Sequence, residues 1–242
     1  MARRPLALIA ASVATIALVI APEAMAAKAD TFEVTIHNLT TGQPLTPPVV
    51  ATHRGKDRIF DVGRRATVEL KEIAENGNLA PQVNALEADK QVLDVFAGSA
   101  PIVPSSRGGP TGFSDHLTFT IHADKGANRI SWASMLICTN DGFTGLNSVK
   151  LPKKAGDSVT VFTAGYDAGT ELNTEDFADI VPPCQGLVGV SSGEPGTGVS
   201  NPALAEGGVI HHHPGIVGGA DLVPAIHGWT DPVAAVEITA VG

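Results

Sequence analysis

Acidic residues lie in two predicted turns of this sequence. Each turn follows a segment whose residues are typical of a β-strand. Asp141 lies in a TNDG turn signal that ends the apolar run 130–138. Asp167 and Glu171 lie in a YDAGTE segment that follows the strand-like run 158–163. Carboxylates gathered at one end of a sheet repel each other unless a cation lies between them. The sequence therefore predicts a cation site formed by Asp141, Asp167 and Glu171.

Calcium suits these ligands better than magnesium does. Ca²⁺ takes six to eight oxygen ligands, and backbone carbonyls of the two turns could complete the set. Mg²⁺ requires a tighter octahedron and keeps more of its water. The alternative is that Asp141 and Asp167 only cap their turns through side-chain hydrogen bonds, which is common for aspartate.

A histidine-containing loop near the end of the sequence offers a second set of possible ligands. His211 and His213 belong to a run of three consecutive histidines, and His227 follows later. Imidazole is a usual ligand for zinc and other transition ions. Consecutive histidines do not have the spacing of a zinc motif such as HExxH. The alternative is a loop that packs on the end of the fold.

The elements that must position these residues are mostly β-strands. Apolar and polar residues alternate in 32–37 and 117–122, which predicts strands with one buried face. The run 130–138 is apolar on both faces, so we expect a central strand covered on both sides. Residues 117–138 are predicted to form an antiparallel hairpin, and residues 236–239 a last strand.

The segments between the strands contain short helices and long loops. Apolar residues recur at helical spacing from Leu70, and Asn76-Gly77 is a typical helix end. A second short helix is expected near Ala80. The Gly-, Ser- and Pro-rich segments 98–114 and 186–219 are expected to be loops, and loops of this length are usually functional or mobile.

The first 26 residues have the features of a secretory signal peptide. A basic pair precedes an apolar run from Leu6 to Ile20, and Ala-Met-Ala provides a cleavage site after Ala26. The apolar run is short for a membrane span. We therefore expect residues 27–242 to form one secreted or periplasmic domain that is not inserted in the membrane.

Export also decides the interpretation of the two cysteines. An oxidising compartment favours a disulfide between Cys138 and Cys184 over two buried free thiols. The loop that it closes, of about 46 residues, would contribute roughly 4 kcal/mol in the chain-entropy model. The formal net charge of -9 gives no electrostatic attraction for nucleic acid or anionic lipid.

Several segments together resemble the spondin N-terminal domain of the F-spondin and mindin type, in its bacterial form. They are FEVTIHNLT (32–40), GQPLTPPVVATH (42–53), SMLICTNDGFTG (134–145), YDAGTE (166–171) and DPVAAVEI (231–238). The resemblance implies an extracellular, C2-like antiparallel β-sandwich with a calcium ion at one end. In that family the ion is held by the acid after the SML strand and by both acids of a DAGTD motif. Carried over, these are Asp141, Asp167 and Glu171, with glutamate in place of the last aspartate.

The predicted protein is thus a mostly-β, C2-like sandwich with short inserted helices and long loops. We expect an exported calcium-binding module that acts in binding or adhesion, with a surface glycan or protein as its ligand. No nucleophile elbow, phosphate-binding loop or redox cysteine pair points to an enzyme. The alternatives are a metal-dependent hydrolase that uses the acidic or histidine cluster, and a structural envelope protein without a ligand.

Overall fold

The computed structural model describes residues 30–55 and 58–241, and the predicted signal peptide lies outside them. Within this part of the chain the strands are β1 (Asp30–Asn38), β2 (Val49–His53), β3 (Val92–Ala97), β4 (His116–Ala123), β5 (Arg129–Met135), β6 (Gly142–Lys150), β7 (Ser158–Thr163), β8 (Gly165–Asp167), β9 (His211–His212) and β10 (Ala234–Ala240). The α-helices are α1 (Val68–Asn76), α2 (Ala80–Ala88), α3 (Ser105–Thr111), α4 (Pro183–Val188) and α5 (Pro224–His227).

These strands form two antiparallel sheets. The four-stranded sheet has the order β4-β1-β10-β7, and the six-stranded sheet has the order β3-β2-β5-β6-β8-β9. Alternate residues of β1 and β10 are buried, as the predicted half-buried strands require. The mostly-β antiparallel sandwich predicted from the sequence is confirmed.

The central strand of the fold is β5, which is buried on both faces. Trp132 packs in the layer between the sheets together with Ile36 of β1. Ala133 and Met135, which have the opposite parity, pack with Ile73 of α1 in a second apolar layer. The strand lies between β2 and β6. The predicted central strand covered on both sides is therefore confirmed.

Local signals set both ends of α1. The Thr67 side-chain oxygen accepts a hydrogen bond from the Leu70 N–H, which caps the helix at its N-terminus. Gly77 ends it in the left-handed conformation with φ 62°, where a residue without Cβ is favoured. Leu70 and Ile73 are buried on the face that covers the six-stranded sheet.

The predicted hairpin over residues 117–138 is wrong. Strand β4 pairs with β1 in one sheet, whereas β5 pairs with β2 and β6 in the other. The connecting turn passes from sheet to sheet and is closed by Asp124, whose carboxylate accepts the N–H groups of Gly126 and Ala127. Because Ile121 and Ile130 fill the same interior layer from opposite sheets, their patterns look like those of a paired hairpin.

Several further elements were not predicted, among them β3, β6 and α3. Strand β3 lies in a region that we interpreted by its helical spacing, and β6 contains polar and small residues that hide its alternation. Helix α3 lies inside the predicted loop 98–114, although it contains Pro110 and two glycines. Sequence patterns therefore identified strands with clear alternation, such as β4 at a sheet edge, and missed β6, which lacks that alternation although it lies at the centre of its sheet.

The Cys138–Cys184 disulfide is present, with the two Cα atoms 5.0 Å apart. It joins the turn that follows β5 to helix α4. Both cysteines are buried in the apolar layer that holds α1. Among the described residues, no helix is long and apolar enough to cross a membrane.

Replacing both cysteines, Cys138→Ala with Cys184→Ala, is expected to lower the free energy of unfolding by about 2–4 kcal/mol, because the unfolded chain loses its cross-link. Urea denaturation at a fixed calcium concentration measures this change. Before denaturation, the unreduced wild-type protein should give no reaction with a thiol reagent. Two reactive thiols in that protein would contradict the disulfide.

Candidate cation site

Strand pairing brings the two aspartates of the candidate site together. Asp141 immediately precedes β6 and Asp167 ends β8, and these strands pair with Gly142 opposite Asp167. The Ala168 N–H donates to the Asp141 carbonyl, which continues the contact beyond the strands. Both aspartates are fully buried. A local sheet register therefore places two carboxylates side by side at one end of the six-stranded sheet.

The third carboxylate of the cluster comes from Glu206. One oxygen atom from each of Asp141, Asp167 and Glu206 lies within 4.8 Å of the other two. Glu206 is exposed, whereas the aspartates are not. Among the described residues, this is the one group of three or more His, Cys, Asp or Glu side chains close enough to hold a metal ion.

Backbone hydrogen bonds hold the segment of Glu206 beside the two aspartates. Its N–H donates to the Thr170 carbonyl, and the Gly208 N–H donates to the Gly169 carbonyl at 2.7 Å. The approach is so close that a Cβ on Gly169 would stand 2.6 Å from the Val209 nitrogen, and its φ of +67° also favours glycine. The glycine of the YDAGTE segment is thus required for the loop that carries Glu206.

Glu171, predicted as the third ligand, does not join this group. The oxygen Oδ2 of Asp141 accepts the N–H groups of Thr170 and Glu171, which fixes the backbone there. The Glu171 carboxylate instead accepts the Asn201 N–H at 2.6 Å. Burial raises the pKa of Glu171 to about 7, and the negative charge of Glu75 on α1 acts in the same direction. The structure therefore separates the two acids of the DAGTE motif.

The two oxygens of the Asp141 carboxylate have opposite environments. Oδ2 accepts three hydrogen bonds, from the Thr170 N–H and hydroxyl and from the Glu171 N–H. Oδ1 is buried and has no hydrogen-bond partner among the described residues. An unsatisfied buried oxygen of a charged group is costly, so this atom requires a further partner. A cation shared with Asp167 and Glu206 would supply one.

Electrostatics at the cluster agree with this interpretation. Burial and, to a smaller extent, the negative charge of Asp167 together raise the pKa of Asp141 to about 7. The Asp167 oxygens accept hydrogen bonds from the Gly169 N–H and from the Asn173 side chain. Those neutral donors do not remove the repulsion between the two carboxylates. A divalent cation would do so, and the residues present fit one.

The three histidines predicted as a second metal set do not meet in the structure. His211 lies in β9 beside β8, where its Nδ1 is 3.8 Å from a carboxylate oxygen of Asp167. His213 is buried against Trp229, and burial lowers its pKa to about 4. His227 is buried against Phe177, and burial likewise lowers its pKa. The alternative interpretation, histidines packed at the end of the sandwich, describes His213 and His227.

Two buried side chains hold the turns around the cluster. Gln43 accepts the Cys138 N–H and donates to the Cys138 and His227 carbonyls, which fixes the chain just before Asp141. Glu175, with a left-handed φ of 57°, accepts the N–H groups of residues 217, 218 and 219. Its own carbonyl accepts two further N–H groups of the same segment. Sequence patterns did not identify either residue.

A disulfide-bonded antiparallel sandwich with functional loops gathered at one end is an architecture common among extracellular binding modules. Within that class, the family model Spondin_N matches residues 40–177, which is more than half of the chain. The chain therefore belongs to the spondin N-terminal domain family, as the motifs predicted. The family suggests a secreted or extracellular module of the binding type. The comparison with curated proteins gives no match.

The matched segment contains Asp141, Asp167 and Glu171 but ends before Glu206. Glu206 had no detectable sequence signal, because it lies in an irregular Gly-rich segment with no motif around it. Only the backbone contacts to the YDAGTE turn identify it as a neighbour of the aspartates.

Glu175→Ala is expected to lower the free energy of unfolding by about 2–3 kcal/mol, since three N–H groups lose a charged acceptor. Urea denaturation measures the change. Glu194→Ala is the matched control, because Glu194 is exposed and its side chain forms no hydrogen bond within the described residues. Equal stability of both variants and the wild type would show that the Glu175 contacts contribute nothing.

In the presence of a chelator, Asp141→Asn is expected to be more stable than the wild type at pH 8, by an amount on the order of a few kcal/mol. The raised pKa means that folded wild-type protein keeps the Asp141 proton between about pH 4 and 7. Its stability therefore falls as pH rises through that range, and the asparagine variant escapes this loss. Both proteins carry His213 and His227, so the histidine contributions cancel. A pH-independent stability difference between the two proteins would contradict the burial effect.

Proposed function

We propose that this protein is an exported spondin-type module that binds Ca²⁺ through Asp141, Asp167 and Glu206. The ion orders the loops at this end of the sandwich, and these loops bind a surface glycan or protein ligand. The observation that carries the proposal is the buried Oδ1 of Asp141, which has no partner among the described residues and belongs to a three-carboxylate cluster.

The chemistry of the donor atoms favours calcium over zinc. All three side chains of the cluster offer oxygen, which hard cations prefer. The imidazole of His211 has its Nδ1 3.8 Å from an Asp167 oxygen and 3.0 Å from the Val209 carbonyl. A carbonyl only accepts, so Nδ1 carries a proton and cannot bind a metal. Among the described residues, neither ring nitrogen of His211 joins the group of carboxylate oxygens that lie within 4.8 Å of one another. The cluster is therefore an oxygen site.

The exposure of the cluster supports a role in ligand binding. Two ligands come from the buried side and Glu206 from the solvent side. An ion held in this way lies close to the surface, and its remaining coordination positions are open to water or to an external oxygen ligand. Hydroxyl groups of a glycan or a carboxylate of a protein have the required chemistry.

Calorimetric titration of Ca²⁺ into chelator-stripped mature protein tests the proposal. Asp141→Asn and Glu206→Gln are each expected to weaken binding by about tenfold or more, because each removes a charged ligand. Glu171→Gln should have a much smaller effect, since its carboxylate binds Asn201 instead. Glu237→Gln, an exposed change of equal charge on β10, should bind Ca²⁺ like the wild type.

Thermal unfolding gives an independent measurement. Calcium at 100 times the wild-type dissociation constant should stabilise the wild type by about 2.7 kcal/mol, and Asp141→Asn, whose site is at least tenfold weaker, by about 1.4 kcal/mol or less. Unfolding that is unaffected by calcium and chelator would overturn the calcium site and favour a structural envelope protein. Purified protein that holds zinc in place of calcium would favour the metal-dependent hydrolase. A glycan and surface-protein binding screen with and without Ca²⁺ then tests the ligand-binding role.

A further inference from the structure

A pair of histidines faces solvent on the outer surface of the four-stranded sheet, which the proposed calcium site does not use. His37 of β1 and His116 of β4 stand directly opposite each other in the strand register. Their ring centroids are 5.4 Å apart and the rings are tilted by 31°. The neighbour of His37 on the other side is Ala235, whose small side chain leaves the rings uncovered.

The hydrogen bonds of His116 fix which ring nitrogen can bind a metal. Its Nδ1 lies 2.8 Å from a carboxylate oxygen of Asp115. An ionised carboxylate acts only as a hydrogen-bond acceptor, and Asp115 is partly exposed to solvent. Nδ1 must therefore carry the proton, which leaves the lone pair on Nε2. The same carboxylate–histidine arrangement orients histidine ligands in metalloproteins.

The ring of His37 can also bind a metal ion. Within residues 30–55 and 58–241, neither of its nitrogens forms a hydrogen bond to another side chain or to the backbone. The strand holds the residue in place, because the flanking Ile36 and Asn38 are buried on the opposite face. A ligand here would meet a backbone that is paired with a strand on each side.

The spacing of the rings matches a shared metal ion. Two imidazoles bound at a metal–nitrogen distance of about 2.0–2.1 Å have their centroids about 3.2 Å from the ion, and hence about 5 Å apart at a tetrahedral angle. The observed separation of 5.4 Å is close to this value. We propose that His37 and His116 form a two-histidine site for a transition-metal ion such as Zn²⁺ or Cu²⁺, with Asp115 orienting His116.

This site and the acidic cluster differ in the ions that they select. Imidazole nitrogen suits Zn²⁺ and Cu²⁺, whereas the carboxylates of Asp141, Asp167 and Glu206 suit Ca²⁺. The two sites can therefore be loaded separately. An excess of Ca²⁺ occupies the carboxylates while Zn²⁺ is titrated, and the result for the histidines does not depend on the proposed function.

Calorimetric titration of Zn²⁺ into tag-free mature protein, in excess Ca²⁺, tests the site. The wild type should bind one Zn²⁺ at this pair, and His37→Gln and His116→Gln should each weaken that binding by about tenfold or more, because chelation is lost. Asp115→Asn should weaken it by about tenfold, as expected for a residue that orients a ligand. A double variant, His211→Gln with His212→Gln, removes the exposed histidines of β9 and should leave this binding intact.

His122→Gln is the matched control. His122 lies on the same strand and face and also contacts a carboxylate, that of Asp94, but its cross-strand neighbour is Thr31. The control should bind Zn²⁺ like the wild type. Cu²⁺ bound to the wild type should show coupling to two nitrogens by electron paramagnetic resonance, and to one in His37→Gln. The proposal is overturned if the wild type gives no heat of binding, if His122→Gln weakens binding as much as His37→Gln, or if the double variant alone abolishes it.

Discussion

Repulsion between two buried carboxylates is the constraint on which the end of this sandwich depends. The register of β6 and β8 places Asp141 beside Asp167 in a region closed to water. The fold satisfies one oxygen of Asp141 completely and leaves the other without a partner among the described residues. An arrangement of this kind is unfavourable for an isolated chain and favourable for one that holds a cation. The segments nearby, the disulfide and the Glu206 loop, are best understood as the support for that arrangement.

The support is built from backbone contacts as much as from side chains. The Gln43 side chain forms hydrogen bonds with the N–H and the carbonyl of Cys138. The Glu175 carboxylate accepts the N–H groups of residues 217, 218 and 219. Such contacts fix irregular segments that have no ladder of hydrogen bonds of their own. They also explain why a long Gly-rich segment after α4 can stay folded against the sandwich. The apolar residues of this segment, such as Ile210, are anchored in the layer that contains α1.

Local patterns predicted the features that local chemistry determines. The central strand, the C-terminal end of α1 and the two aspartates all follow from runs of neighbouring residues, and each is present in the structure. The hairpin was wrong because alternation reports which face is buried but not which sheet a strand joins. Glu206 was missed for a related reason. Its place beside the aspartates depends on contacts between segments far apart in the chain. No sequence pattern in either segment indicates these contacts.

Strand β1 pairs on one side with β4 and on the other with β10, the last strand of the fold. The four-stranded sheet therefore cannot close until nearly the entire polypeptide is available, and β1 must wait with one edge unpaired. This order matters during synthesis, because the strand that is made first finds its final neighbour last. Unpaired strand edges readily join the wrong partner during such a delay. The free edge of β1 is therefore the part of the fold that most needs protection until β10 is made.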